Sequence, residues 1–181
     1  MTSDLLQSVV EQHHAGKNDW LYQVDGMRKA RIDITINSNG DWFHLGERIK
    51  RDSLVRLLED SLLVVEGDYV LRAPEQLLRL KVEDQPFFIT EISKRSSSLS
   101  SDRPQYTAKT SRGLRCVIGD EHPIELRPLP HQDLETPVVL IRDGLFGRLN
   151  RNCYYQLLEF CQANDSGEFI LESSGVAFRI A

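Results

Sequence analysis

The sequence predicts an α+β fold of two repeated helix-plus-β-hairpin units with additional antiparallel strands. Three observations carry that prediction. Residues 45–80 and 145–180 align at an offset of one hundred positions without a gap: Leu45, Arg48, Arg51, Leu57, Leu58, Glu59, Gly67, Leu71 and Arg79 recur as Leu145, Arg148, Arg151, Leu157, Leu158, Glu159, Gly167, Leu171 and Arg179. Nine identities in thirty-six positions exceed the roughly two or three that ordinary composition supplies, and self-similarity reports architecture before propensity does. Each copy also opens on apolar residues at helical spacing, and each closes on two short apolar runs around turn residues.

In the first copy Leu54, Leu57, Leu58 and Leu62 fall on one helical face, which leaves Arg56, Glu59 and Asp60 for solvent. The second copy keeps that register with Tyr154, Leu157, Leu158 and Cys161. Gly67 and Gly167 then break each periodic run, a role glycine fills because positive φ costs it no Cβ clash. The strands expected next are Tyr69–Arg72 with Leu77–Val82, and Phe169–Glu172 with Val176–Ile180. Ala73-Pro74-Glu75-Gln76 and Ser173-Ser174-Gly175 between them are turn chemistry.

Ahead of the first copy, Ile32, Ile34 and Ile36 alternate with Asp33 and Thr35, the period of a half-buried strand. Asn39-Gly40 is a hairpin turn signal, and Trp42-Phe43-His44 returns from it. Val138–Ile141 followed by Asp143-Gly144 occupies a comparable place before the second copy. Phe87–Ile92, Tyr106–Thr110, Leu114–Ile118 and Ile124–Leu126 are strand candidates between the copies, and Asp4–His14 reads as a short amphipathic helix. The resulting organisation is an N-terminal helix and linker (1–30), a first lobe of hairpin, helix and hairpin (31–83), inter-repeat strands with a serine-rich loop at 94–104 (84–136), and a second lobe (137–181).

A net charge of −5 argues against nucleic acid, whose affinity comes from neutralised phosphates. No apolar run approaches the roughly twenty residues of a membrane span, and the polar N-terminus lacks a signal-peptide core. The expectation is a cytoplasmic protein whose three cysteines, Cys116, Cys153 and Cys161, are reduced thiols. No Walker loop, dinucleotide fingerprint, nucleophile elbow or CxxC pair is present, so no cofactor and no metal are expected.

Several motifs in series resemble one family: Gly40-Asp41-Trp42-Phe43-His44-Leu45-Gly46, Ile49, Arg51, Leu54-Val55-Arg56-Leu57, Tyr69, Pro74-Glu75, Val82-Glu83-Asp84-Gln85-Pro86-Phe87, Glu121-His122-Pro123-Ile124, then Arg148-Leu149-Asn150-Arg151 with Tyr154-Tyr155. In that order they are similar to the bacterial "domain of unknown function 1285" family, over about residues 30 to 160. The resemblance implies a small α+β protein with repeated structural motifs and a role in ligand binding or signal transduction, without assigned catalytic residues.

The residues themselves suggest where a ligand would sit. Arg48 and Arg51, recurring as Arg148 and Arg151, lie just before a helix start, where free N–H groups and the dipole favour anions, and an arginine fork clamps phosphate or carboxylate. The plainer account is an ion pair copied with the unit, such as Arg79 with Glu59 and Arg179 with Glu159. Glu83 and Asp84 form a carboxylate pair that a turn leading into Pro86 explains equally well. Asp120-Glu121-His122 is the densest acid–imidazole cluster, although adjacent residues point to opposite faces and a tight turn ended by Pro123 is the better account. Trp42, His44, Arg51, Glu83, His122 and Arg151 are the candidate ligand-binding residues. The expected function is non-catalytic, binding a small molecule (an anion is one candidate) or a protein partner, with signal transduction as the implied context. A homodimer is compatible with it. The alternatives are a hydrolase using Glu83, Asp84 or His122, and a purely structural interaction module.

Overall fold

The computed structural model describes residues 9, 22–95, 103–128 and 134–181. The predicted Asp4–His14 helix and most of the serine-rich loop lie outside those residues. The chain divides into two units, Met1–Glu83 and Asp84–Ala181. The elements are β1 (Arg28–Ile36), β2 (Trp42–His44), β3 (Glu47–Arg48), α1 (Asp52–Asp60), β4 (Leu62–Val65), β5 (Asp68–Arg72) and β6 (Gln76–Val82) in the first. The second holds β7 (Phe87–Lys94), β8 (Tyr106–Thr110), β9 (Arg115–Val117), β10 (Ile124–Pro128), β11 (Glu135–Arg142), β12 (Leu145–Leu149), α2 (Arg151–Phe160), β13 (Gln162–Ala163), β14 (Phe169–Ser173) and β15 (Val176–Arg179).

The α+β expectation is therefore overturned: the protein is mostly β, with two short helices among the described residues and three sheets. The two helices and the strands that the sequence names fall close to where it puts them, whereas β3, β4, β12 and β13 are strands it does not name, and Leu62, expected on the helix, opens β4. What fails is the unit. The strands after α1 are not a separate hairpin but half of a six-stranded sheet ordered β3-β2-β1-β6-β5-β4. That sheet is two antiparallel meanders joined by a single parallel pair, β1 with β6. The second unit joins its meanders in the same way, in the order β10-β11-β12-β7-β8-β9 with β7 parallel to β12. After α2, β13, β14 and β15 form a small sheet of their own. A lone hairpin is marginal in water; the strands after α1 join a six-stranded sheet, whereas the hairpin after α2 gains only β13 as a third strand, and the choice of partner is not written locally.

The turns explain the strand count. Gly67 and Gly167 do not end helices. Each helix stops at Ser61 or Cys161 and the chain enters a strand at once. Leu45-Gly46, Glu66-Gly67, Asp143-Gly144 and Ser174-Gly175 each place two successive residues at positive φ, the backbone of a two-residue type I′ turn matched to strand twist. Three other hairpins share a five-residue turn. Asn37 N–H donates to Asp41 O at 3.0 Å, Gly40 N–H donates to Asn37 O at 3.0 Å, and Asn37 Oδ1 accepts from the Asn39 and Asp41 N–H groups. Asn164 repeats those four bonds with Glu168, Gly167 and Ser166. Thr110 makes the corresponding backbone bonds with Leu114 and Gly113, and its hydroxyl accepts from Leu114 N–H. In each, the side chain at the first position satisfies amides that the sheet ladder cannot reach.

In the first unit Ile32, Ile34 and Ile36 of β1, Trp42 of β2, Leu62 of β4, Leu71 of β5 and Leu78 of β6 bury one face of the sheet, as the alternation predicts. Helix α1 adds Val55 and Leu58, and it also buries Glu59, which the helical reading had assigned to solvent. The other face carries a small cluster of Leu63, Val70 and Leu77 under Val24, Met27 and Val65. In the second unit α2 is capped by Asn150, whose side chain accepts from Cys153 N–H at 2.7 Å. It packs against β7, β12 and β14 through the buried Cys153 and Leu157.

Two positions in the second unit test this packing. A Cβ on Gly147 would stand 3.0 Å from two carbons of Ile89 and 3.3 Å from Ile141, so Gly147→Ala should cost about 1–3 kcal/mol in urea unfolding. Ser173 is fully buried; its hydroxyl donates to Ile118 O at 2.7 Å and accepts from Tyr106 N–H at 3.1 Å. Ser174 also donates to Ile118 O, so Ser173→Ala leaves chiefly the Tyr106 amide without its partner. Its expected cost is about 1–3 kcal/mol in the same measurement.

Candidate functional site

The candidate site follows from the parallel pair of the first unit. Arg31 lies opposite Arg79, but the next pairing is Thr35 opposite Lys81, so β1 spends two more residues than β6 over the same span. The extra length bulges β1 between Arg31 and Thr35. A groove of about 640 Å³ opens there, lined by Arg31, Ile32, Asp33, Ile34 and Thr35 of β1 and Arg79, Leu80 and Lys81 of β6. The even-numbered residues of β1 turn into the core, whereas Arg31 and Asp33 are exposed and Thr35 is half-buried. Arg79 and Lys81 are exposed on the neighbouring strand. Three cations and one carboxylate thus line the groove.

The charges beside the groove are organised. Asp68 lies 3.6 Å from Arg79 and 3.6 Å from Lys29, and Lys29 Nζ donates to Glu66 at 2.6 Å. The hydrogen bond to Glu66 is the main reason the Lys29 ammonium holds its proton above the ordinary lysine range. Arg79 is therefore anchored loosely by a carboxylate that it shares.

The six sequence-predicted residues fall in two groups. In the first unit, Trp42 and His44 share the buried face of β2, opposite Ile36 and Ile34 of β1. The Trp42 Nε1 and His44 Nε2 atoms are both buried without a hydrogen-bond partner among the described residues. Glu83, just past β6, accepts from Ser38 N–H at 3.2 Å. Arg51 is exposed at the N-cap of α1, where its side chain makes no capping bond. In the second unit, His122 Nδ1 is 3.1 Å from Leu140 O; a carbonyl only accepts, so the ring donates from Nδ1. Arg151 is exposed on the first turn of α2, beside Tyr155, whose hydrogen bond raises the Arg151 pKa further.

The sequence-predicted carboxylate pair is split. Glu83 bonds within the first unit, whereas the Asp84 side chain, 3% exposed, meets Arg148 at 3.1 Å in the second. Glu121 is exposed on a turn closed by Gly119 N–H donating to His122 O. No three His, Cys, Asp or Glu side chains among the described residues are grouped to hold a metal ion. The repeated arginines are ion-paired with acids other than the expected ones: Arg48 with Asp41, Arg79 with Asp68, and Arg179 with Glu168 and Glu135. Asn164 and then Arg179 hold the Glu168 carboxyl below its usual range by hydrogen bonding.

The groove residues were visible in the sequence only as the polar members of two alternating strands. Arg31, Asp33 and Thr35 read as solvent face, as do Arg79 and Lys81. The pairing that brings them together is long-range and parallel, and no local pattern announces it.

The two units correspond to two family models. Residues 20–85 match the N-terminal domain of unknown function DUF1285, and residues 86–180 match the C-terminal domain of the DUF1285 protein of unknown function. The chain belongs to the DUF1285 family. Among solved structures, a DUF1285 family protein from Silicibacter pomeroyi DSS-3 is similar at 26% identity and a TM-score of 0.80, covering 95% of this chain and 93% of that one. A second DUF1285 family protein, from Shewanella baltica OS155, shares the fold at 24% identity and a TM-score of 0.53, covering 71% of this chain and 91% of that one. No curated protein matches the sequence. No helix among the described residues of this DUF1285 protein is long and apolar enough to cross a membrane.

Its cysteines give a pH test. Cys116 and Cys153 are buried and Cys161 half-buried, all as free thiols. Burial pushes Cys116 and Cys161 up from an ordinary value of 9.0 to about 11. A raised folded-state pKa means that the fold binds the proton more tightly than the unfolded chain does. The contribution is therefore complete below pH 9.0 and is lost as pH rises through about 11. Melting temperature should fall across that window. The Cys161→Ala protein, whatever its melting temperature at neutral pH, should lose less across it.

Proposed function

We propose that this DUF1285 protein is a non-catalytic binding module, and that the groove between β1 and β6 takes a small anion, either a phosphate or a carboxylate. One observation carries the reading: three cationic side chains and one carboxylate line a 640 Å³ opening between two strands. The groove falls within the few hundred to about one thousand Å³ of ordinary small-molecule sites. Arg31 and Arg79 are directly paired across the strands, which holds two like charges within reach of each other. An anion bridging them relieves that repulsion and gains charge-assisted hydrogen bonds. Arg51 and Arg151, each beside a helix start, are secondary candidates for the same chemistry. A cytoplasmic signalling role is compatible with such a module and stands on the family resemblance alone.

Calorimetric titration at low ionic strength with inorganic phosphate and with citrate tests the reading. Binding of at least one should weaken about tenfold or more in Arg31→Ala and in Lys81→Ala, the size expected for losing one charge-assisted hydrogen bond. It should also weaken as salt is added. Arg115→Ala, an exposed residue of the other unit, should bind as the wild type does. If neither anion binds, or if both bind undiminished in the Arg31 and Lys81 variants, the groove is not the site.

A further inference from the structure

We infer that the occupant of the groove is a phosphate monoester bearing free hydroxyls, with its phosphate on Arg31, Arg79 and Lys81 and its hydroxyls on Asp33. This rests on the anion reading above and specifies it. Charge separates phosphate from carboxylate. One arginine fork satisfies a carboxylate, which carries a single charge. Three cations line the groove against one acid, and the flanking Lys29, Glu66 and Asp68 leave the surroundings net positive. A phosphate monoester, at about −1.5 to −2 at neutral pH, engages all three lining cations where a carboxylate engages one. Geometry agrees. Arg31 and Arg79 are neighbours across the pair, at the roughly 4.8 Å strand spacing, and Lys81 follows two residues on, about 6.6 Å along the same face. Side chains of that length converge on one phosphate.

Asp33 is the residue that a bare anion site would not have. An exposed carboxylate in the bulge, two residues from Arg31, weakens the attraction for any anion unless it makes a contact of its own. A carboxylate only accepts hydrogen bonds, so the matching ligand group is a donor that stands beside the phosphate. Hydroxyls meet that condition, and carboxylate recognition of ribose hydroxyls next to a bound phosphate is an established division of labour in unrelated folds. The volume fits as well, because about 640 Å³ leaves room beyond the phosphate for the rest of a sugar-sized molecule. Asp68, 3.6 Å from Arg79, competes with the ligand for that guanidinium. It remains paired with Lys29 when Arg79 turns to the phosphate.

The test is a set of titrations with ribose 5-phosphate, methyl phosphate, acetate and ribose. Ribose 5-phosphate should bind about tenfold or more tightly than methyl phosphate, and acetate and ribose should bind more weakly than either. Asp33→Ala should move the two phosphates in opposite directions: ribose 5-phosphate weakens while methyl phosphate holds or tightens. A merely structural residue would shift both the same way. Asp68→Asn should tighten both. Equal affinities for ribose 5-phosphate and methyl phosphate, or an unchanged ratio in Asp33→Ala, overturns the hydroxyl assignment and leaves the anion groove standing. Acetate binding as tightly as methyl phosphate overturns the phosphate assignment. If inorganic phosphate and citrate also fail to bind, the anion reading itself falls, and the two failures are thereby told apart.

Discussion

Each large sheet depends on one parallel pairing. Antiparallel neighbours can be joined by two residues, whereas parallel neighbours need a crossover. In the first unit everything from β2 through β5 is that crossover, and α1 is the element inside it that is not strand. In the second, β8 to β11 play the same part between β7 and β12. The meanders on either side are local and could be exchanged for others. The central pair fixes which meander lies beside which, and in the first unit its register is irregular. Fold and candidate site therefore share an element, since the groove lies along the β1–β6 pair where its register breaks.

How much of this the sequence discloses depends on the range of the interaction. The Ile32, Ile34 and Ile36 alternation gives β1 and its buried face, because side-chain direction is a property of the strand itself. Asp143-Gly144 is recognisable as a hairpin turn because aspartate tolerates the left-handed region. Leu45-Gly46 and Glu66-Gly67 adopt the same backbone with residues that carry no such signal, and so Gly67 reads as a helix end. The periodicity that marks α1 is sound, but Glu59 is buried on it, which charge alone argued against. Parallel pairing is the least legible of all. Nothing in Arg28–Ile36 or Gln76–Val82 distinguishes a strand that will meet a distant parallel neighbour from one that will form a hairpin.

The repeated charges follow the same rule. The offset of one hundred places Asp68 with Glu168 and Arg79 with Arg179, and both copies make the ion pair. The arginines were read correctly as partners of an acid, but the acid chosen lay on the helix. In the structure it stands at the start of the neighbouring strand (Asp68) or just before it (Glu168), where opposite charges on adjacent strands can meet. Both pairs are largely exposed, so each adds only tenths of a kcal/mol to about 1 kcal/mol. Their local consequence is positional, and at Arg79 it sets what a ligand must displace.

The parallel pair also governs the order in which the chain can be built. As the first unit leaves the ribosome, β1 emerges with its β2 side matched at once and its other side waiting for β6, the last strand of that unit. β7 waits in the same way for β12. Sheets completed by contacts between the ends of a segment pay loop-closure entropy before any reward returns, and they fold slowly for that reason. Until the closing strand arrives, the β1 edge, isoleucines on one face and charges on the other, stands unpaired. That is when this chain is most exposed to pairing with another copy of itself.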